Sequence, residues 1–195
     1  MCRDLFVITK ENCKIVFRQG AYAAAAFLFL VPYLYGISNL NSEKAADCLG
    51  KLVALAGMPL LVPIVKPEQD SDIQDIILIK RFPYHLTILL RMVFAAVLSL
   101  VMIYFFSLYM LYQGCKFSIN IYVVRTVGIS MLIGGAGLLG SVLFRKTLAG
   151  LLVSVGFVFC FYDNFAAMVF EGIRGFIMAI GMLLYGMILL LCAKY

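Results

Sequence analysis

The chain is divided into continuous apolar blocks, each about as long as a lipid bilayer is thick. A hydrocarbon core of about 30 Å requires roughly 20 apolar residues per helix, whereas the strands of a membrane barrel alternate over about ten residues. Six blocks have the helical pattern, at about 21–37, 48–65, 86–112, 121–143, 147–162 and 175–193. We therefore predict that residues 1–195 form a single transmembrane domain with six membrane-spanning helices.

The composition excludes a soluble fold. Hydrophobic residues make up 64% of the 195 residues, charged residues make up 13%, and the mean hydropathy is +1.03. A soluble domain is about half apolar and about a quarter charged, and one core of this size cannot enclose the excess. The sequence predicts an all-α membrane protein surrounded by lipid. The net charge of +6 implies no nucleic-acid partner, because charges near membrane spans set orientation.

Residues 2–19 precede the first apolar block and mix apolar with basic side chains. Leu5 and Ile15 supply apolar anchors, and Lys10 and Arg18 supply cations for anionic head groups. We predict an amphipathic helix at the membrane surface, with an unstructured tail as the alternative. The charges within this segment, and the lack of a cleavage site after the first apolar block, argue against a cleaved signal peptide.

Lysine and arginine are distributed unequally between the two sides of the predicted topology. With the N-terminus inside, the inner segments hold eleven of them: Arg3, Lys10, Lys14, Arg18, Lys66, Lys80, Arg81, Arg91, Arg145, Lys146 and Lys194. The outer segments hold five: Lys44, Lys51, Lys116, Arg125 and Arg174. Because cytoplasmic loops carry the excess of basic residues, we predict a multi-pass protein with both termini in the cytoplasm.

The one sizeable polar segment connects the second and third predicted spans. Asp70 or Ser71 is a suitable N-cap, and Pro83 ends the segment. Three isoleucines at helical spacing share one face: Ile73, Ile76 and Ile77. Acidic residues near its start and basic residues near its end match the helix dipole: Glu68, Asp72, Asp75, Lys80 and Arg81. We predict a short amphipathic cytoplasmic helix over 68–83, with an ordinary solvated connector as the alternative.

The motifs that usually carry catalysis are missing from the sequence. His85 is the only histidine, and there is no HExxH or Walker A motif. The run Gly134–Gly137 lies in an apolar span without a following Gly-Lys-Ser/Thr, so it favours close helix packing over a phosphate loop. We predict that this chain is not an enzyme and holds no metal or cofactor. Cys48 and Cys115 fall near outer loops, either as a disulfide or as free thiols.

A few charged residues lie near the ends of the apolar blocks. Arg91 is roughly one turn inside the third span, where it either extends to the inner head groups or makes a specific link. Asp163, Glu171 and Arg174 lie around the predicted outer loop between spans five and six. They are candidates for the exit of a transport pathway, with simple interfacial anchoring as the alternative.

The stretch from the second into the third span resembles the membrane subunit of an ABC-2-type exporter. A kinked apolar helix is followed by Glu68, Asp72 and Asp75, then by Ile-Ile-Leu-Ile-Lys-Arg-Phe-Pro over 76–83, then by a helix with Arg91. About 35 residues carry the likeness. Within this stretch it departs from the family pattern in two ways, because Phe82 separates the basic pair from the proline and Ile79 replaces a small polar residue. A third departure is the short outer loop between spans five and six, about 163–174, which re-entrant helices often occupy in relatives.

This resemblance implies a permease of a bacterial plasma membrane that exports a peptide, bacteriocin or drug-like amphipathic substrate. A cytoplasmic ABC ATPase, which binds ATP and Mg²⁺ itself, would grip the 68–83 helix as a coupling helix. A second permease copy, or a homologous permease, would complete the pathway. The alternative reading is a non-transport membrane scaffold or a regulatory subunit of a membrane complex.

Overall fold

The computed structural model describes residues 20–66 and 84–170, with side chains over 20–66 and 88–159. All the regular elements in these ranges are helical, which confirms the all-α prediction for this part of the chain. The α-helices are α1 Tyr22–Tyr35, α2 Ser42–Asp47, α3 Gly57–Leu61, α4 Tyr84–Tyr112, α5 Ile119–Phe144 and α6 Thr147–Phe170. The predicted interfacial helix 2–19, the predicted coupling helix 68–83 and the predicted span 175–193 lie outside the described residues.

Among the described residues, three helices are long and apolar enough to cross a membrane: Ser42–Val65, Ile88–Tyr112 and Ile119–Phe144. Two further apolar helices are shorter over the residues whose side chains are described: Tyr22–Tyr35 and Thr147–Phe159. A span of the hydrocarbon core needs roughly 20 residues, which the three long helices provide. Their length and composition indicate a membrane protein.

The helix Ser42–Val65 is a composite of several helical types, and we call it the composite helix. It begins earlier than predicted, because residues 42–47, which were expected to precede the span, form α2 with Glu43 in its first turn. A π-helical turn covers Cys48–Leu52, and 3₁₀ turns cover Val53–Ala56 and Val62–Val65 on either side of α3. Pro59 and Pro63 have no backbone N–H, so the regular series of hydrogen bonds from residue i to residue i−4 is interrupted at these two positions.

The fifth predicted span ends at about residue 162, but α6 continues to Phe170 and includes Asp163. Residues 163–170 contain no proline or glycine, and two alanines favour continued helix. Asp163 therefore belongs to a helix, which corrects its expected position in a loop. The other long helices, α4 and α5, lie close to the predicted spans 86–112 and 121–143.

Helix α5 is at the centre of the bundle. It makes its most extensive contact with α6, and it also packs against α3, α4 and both 3₁₀ turns of the composite helix. One apolar cluster joins α1, the composite helix, α4 and α5: Ala24, Leu60, Leu61, Ile64, Val65, Ile88, Met92, Ala95, Leu138 and Leu139. We call this the lower cluster.

Backbone hydrogen bonds join the loop after α1 to the loop after α4. Asn39 N–H donates to the Gln113 carbonyl at 3.2 Å, and Lys116 N–H donates to the Leu40 carbonyl at 3.3 Å. These two loops therefore lie at the same end of the bundle, which we call the loop end. The composite helix and α5 both run away from it, so Lys66, Tyr84 and the Arg145-Lys146 turn lie at the opposite end, the turn end.

Candidate functional site

The residues predicted to contact an ATPase all lie outside the described ranges: Glu68, Asp72, Ile73, Asp75, Ile76, Ile77, Lys80 and Arg81. Of the predicted pathway-exit residues, Glu171 and Arg174 also lie outside, and Asp163 is described only as part of the α6 backbone. The structure does describe both helices that flank 67–83. The site is therefore built from the ends of these two helices.

A hydrogen bond crosses between these helices at the turn end. Arg91 is 5% exposed, and its Nη1 donates to the Ile64 carbonyl oxygen at 3.1 Å. A side chain that extends to the head groups keeps its charge in water, whereas this guanidinium is buried. Of the two roles considered for Arg91, extension to the head groups or a specific link, the structure therefore shows the specific link, to Ile64.

The backbone of the composite helix explains why Ile64 accepts this bond. In a 3₁₀ turn, a carbonyl accepts from the N–H of the residue three positions later. For Ile64 that residue is Pro67, which has no N–H. Arg91 supplies a donor to this carbonyl.

The surroundings of this bond are apolar. Ile88 and Met92, which flank Arg91 on α4, belong to the lower cluster together with Ile64 and Val65. A hydrogen bond from a charged donor is stronger in such a low-dielectric setting than in water, and an unpaired charge would be correspondingly costly. The described part of the turn end therefore holds a buried, directional contact between the second and third spans.

Small residues bring α5 against the composite helix. A Cβ added at Gly134 would lie 2.9 Å from the Gly57 carbonyl oxygen and 2.9 Å from Leu61 Cβ, and would collide with Leu61 Cδ1. A Cβ added at Gly57 would collide with the backbone and hydroxyl oxygens of Ser130. Backbones approach this closely only where side chains are absent, as in small-xxx-small crossings of membrane helices.

The same face of α5 continues into the α6 contact. A Cβ at Gly137 would lie 2.6 Å from Val62 Cγ2 and 3.0 Å from the Gly150 carbonyl, and would collide with Ser154 Oγ. Ser154 Oγ donates to the Ile133 carbonyl at 3.2 Å, which ties α6 to α5. Gly134–Gly137 thus lies between packed helices, as the packing interpretation predicts, and not in a phosphate-binding loop.

An open apolar groove lies between α1 and α4. It has a volume of about 630 Å³ and is lined by Ala25, Leu28, Phe29, Pro32, Tyr33, Val101, Met102, Phe105, Phe106 and Tyr109. Phe29, Tyr33 and Phe105 are largely exposed. At the loop end of α4, Gln113 Nε2 donates to the Tyr109 hydroxyl at 3.1 Å. The groove has the dimensions and chemistry of a site for an apolar chain, with polar groups only near this end.

The two cysteines whose side chains are described lie in one apolar cluster near the loop end. Cys48 and Cys115 are buried and free, and Cys115 Sγ donates to the Ile37 carbonyl at 3.6 Å. Of the two alternatives, the structure therefore has free thiols. Within the described residues, no group of three or more His, Cys, Asp or Glu side chains is placed to hold a metal ion.

No protein-family model, curated protein or solved structure matches this chain. Its function therefore has to be inferred from the residues themselves. The sequence identified Arg91 as unusual but not its partner. The sequence signal for this partner is Pro67, because a proline cannot donate the 3₁₀ hydrogen bond to the Ile64 carbonyl. The rotation of α4 that brings Arg91 to Ile64 depends on how the helices pack, so the sequence does not reveal it.

Proposed function

We propose that this chain is the membrane subunit of an ATP-driven ABC exporter, with six spans and both termini in the cytoplasm of a bacterial plasma membrane. It would carry a peptide, bacteriocin or drug-like amphipathic substrate. A separate cytoplasmic ABC ATPase, with its own ATP and Mg²⁺, would supply the energy. Two such subunits, or this chain and a homologous permease, would form the pathway.

The buried bond between Arg91 and Ile64 carries this proposal. A transporter without its own energy source must receive force on a cytoplasmic element and pass it to its spans. Residues 67–83, which resemble the coupling segment of ABC-2 permeases, join the composite helix to α4. The bond at 3.1 Å holds together the two helices on which such a segment would act.

The distribution of charge supports the same orientation. Among the described residues, the turn end carries Lys66, Arg91, Arg145 and Lys146 and no acidic residue. The loop end carries Glu43 and Asp47 beside its basic residues, and Lys51 forms a salt bridge with Asp47 at 3.4 Å. Lysine and arginine are equally frequent at the two ends of the described part, four at each, so the orientation rests on the count over the whole sequence, eleven against five.

The apolar groove between α1 and α4 is consistent with an amphipathic substrate. It opens on the outside of the bundle, where aromatic side chains such as Phe105 face the surroundings. An apolar chain that enters from the lipid would lie against these rings, while its polar end would remain near Tyr109 and Gln113. Such a lateral site suits a substrate that partitions into the membrane before export.

The decisive experiment is recovery of the ATPase with the purified permease. Ile76 and Ile77 would occupy a groove on the ATPase, as an amphipathic helix does in other complexes. The double substitution Ile76→Asp/Ile77→Asp should abolish recovery while membrane levels stay equal, because this face lies outside the bilayer. ATP hydrolysis by the copurified protein identifies the partner.

A matched control adds the same two charges elsewhere on the predicted helix. Ser71 and Gln74 fall off the isoleucine face at helical spacing, so Ser71→Asp/Gln74→Asp should retain the ATPase. Undiminished recovery with the isoleucine double substitution would refute the coupling-helix assignment. Absence of any ATPase with the wild-type chain would favour the scaffold or regulatory alternative.

A further inference from the structure

Arg91 is a charged residue enclosed within a membrane span. It is 5% exposed, and its partner Ile64 is 27 positions away in the sequence, on the other helix that flanks 67–83. Ionisable residues inside membrane spans are costly and usually have a functional reason. A neutral residue would fill the same space in the lower cluster without that cost, so apolar packing alone does not account for an arginine here.

The contact differs in kind from the rest of this interface. Ile64, Val65, Ile88 and Met92 meet through apolar side chains, and such contacts are non-directional. The hydrogen bond from the planar guanidinium has a preferred distance and angle. It therefore opposes sliding of α4 along the composite helix, which the apolar contacts alone tolerate.

We propose that Arg91 is a positioning residue that makes the end of the composite helix and the start of α4 move as one body. A force on the 67–83 connection then reaches both spans together and is transmitted towards the loop end. Without the bond, the same force separates the two helix ends locally. This inference rests on the proposed function, in which an ATPase acts on that connection.

The first test needs only the purified chain in lipid nanodiscs. Hydrogen exchange is measured for the four amide hydrogens within 62–66, those of Val62, Ile64, Val65 and Lys66, and for the two loops at the opposite end. In Arg91→Gln, exchange at 62–66 should be about tenfold to a hundredfold faster, as expected for loss of a buried hydrogen bond from a charged donor. The loops at 36–41 and 113–118 should keep their wild-type exchange.

Two further variants make this result specific. Arg91→Lys keeps a charged donor and should restore part of the protection at 62–66. Arg145→Gln removes an exposed arginine from the same end and should change nothing at 62–66. If Arg91→Gln leaves hydrogen exchange at 62–66 unchanged, or accelerates it equally at the turn end and the loop end, Arg91 does not hold these two helix ends together. If Arg91→Gln does not fold, Arg91→Lys tests the proposal instead. Its hydrogen exchange should be faster than in the wild type at 62–66 only, and by a smaller factor.

The second test uses the complex with the copurified ATPase. Addition of ATP to the wild-type complex should change hydrogen exchange in the loops 36–41 and 113–118. Arg91→Gln should recover the same amount of ATPase and hydrolyse ATP, but its loops should no longer respond. A wild-type response in Arg91→Gln would overturn the force-transmitting role. If the wild-type chain recovers no ATPase, the proposed function fails, while the exchange at 62–66 still decides whether Arg91 ties the helices.

Discussion

Helices α4 and α5 are both long and apolar, yet they occupy opposite positions in the bundle. Within an apolar stretch of 18 residues in each helix, only 33% of the residues of α4 are buried, against 67% of those of α5. The more buried helix is the one rich in glycine and serine, and the more exposed one carries large side chains such as Leu100 and Phe105. Side-chain size, and not hydrophobicity, therefore separates the central helix from the peripheral one.

The physical reason for this difference between α4 and α5 is that lipid, and not water, surrounds the helices. Lipid tails are as apolar as leucine, so burying a leucine between membrane helices brings little hydrophobic gain, and close packing takes its place. Gly134 and Gly137 allow the composite helix and α6 to approach α5. The exposed positions of α4 recur at helical spacing and give it a lipid-facing stripe: Leu89, Val93, Val97, Leu100, Val101, Tyr104, Phe105 and Leu108.

The largest effect is expected from the same truncation on the two helices. Leu138 on α5 is fully buried, whereas Leu100 on α4 is 49% exposed. Leu138→Ala should lower the free energy of unfolding by about 2–5 kcal/mol because it leaves a cavity between packed helices. Leu100→Ala should change it by less than about 0.5 kcal/mol. Unfolding in mixed micelles, followed by circular dichroism, measures both, and equal losses would contradict the comparison.

An intermediate effect is expected where a methyl group is added. A Cβ at Gly137 would collide with Ser154 Oγ and crowd Val62, so Gly137→Ala should cost about 1–3 kcal/mol through overpacking. Gly156 on α6 is the matched control, because a Cβ there meets nothing within 4 Å. Gly156→Ala should be neutral or stabilising, since alanine has the higher helix propensity. If both substitutions destabilise equally, close approach at Gly137 is not what places α5 at the centre.

Sequence reasoning succeeded where the signal is local. Apolar blocks of span length predict helices because backbone groups in lipid must bond within their own segment, and the run of small residues Gly134–Gly137 predicts close packing. It failed at Ser42 and Asp163, where polar residues suggested loops but the helices continue. It also left the Arg91 link undecided, since that bond depends on how two helices rotate against each other, which no local pattern encodes.

The smallest effect separates two serines that line the close contacts of α5. Ser130 and Ser154 are both fully buried, but Ser154 Oγ donates to the Ile133 carbonyl, whereas Ser130 Oγ has no hydrogen-bond partner among the described residues. Ser154→Ala should therefore cost about 1 kcal/mol, since it removes a net favourable bond. Ser130→Ala removes a buried hydroxyl that makes no hydrogen bond, and it keeps a small side chain against Gly57. The free energy of unfolding should therefore stay the same or rise slightly. The same unfolding assay distinguishes them. If Ser130→Ala proves as costly as Ser154→Ala, the Ser130 hydroxyl has a partner in the native state, and the contact with Gly57 involves more than small size.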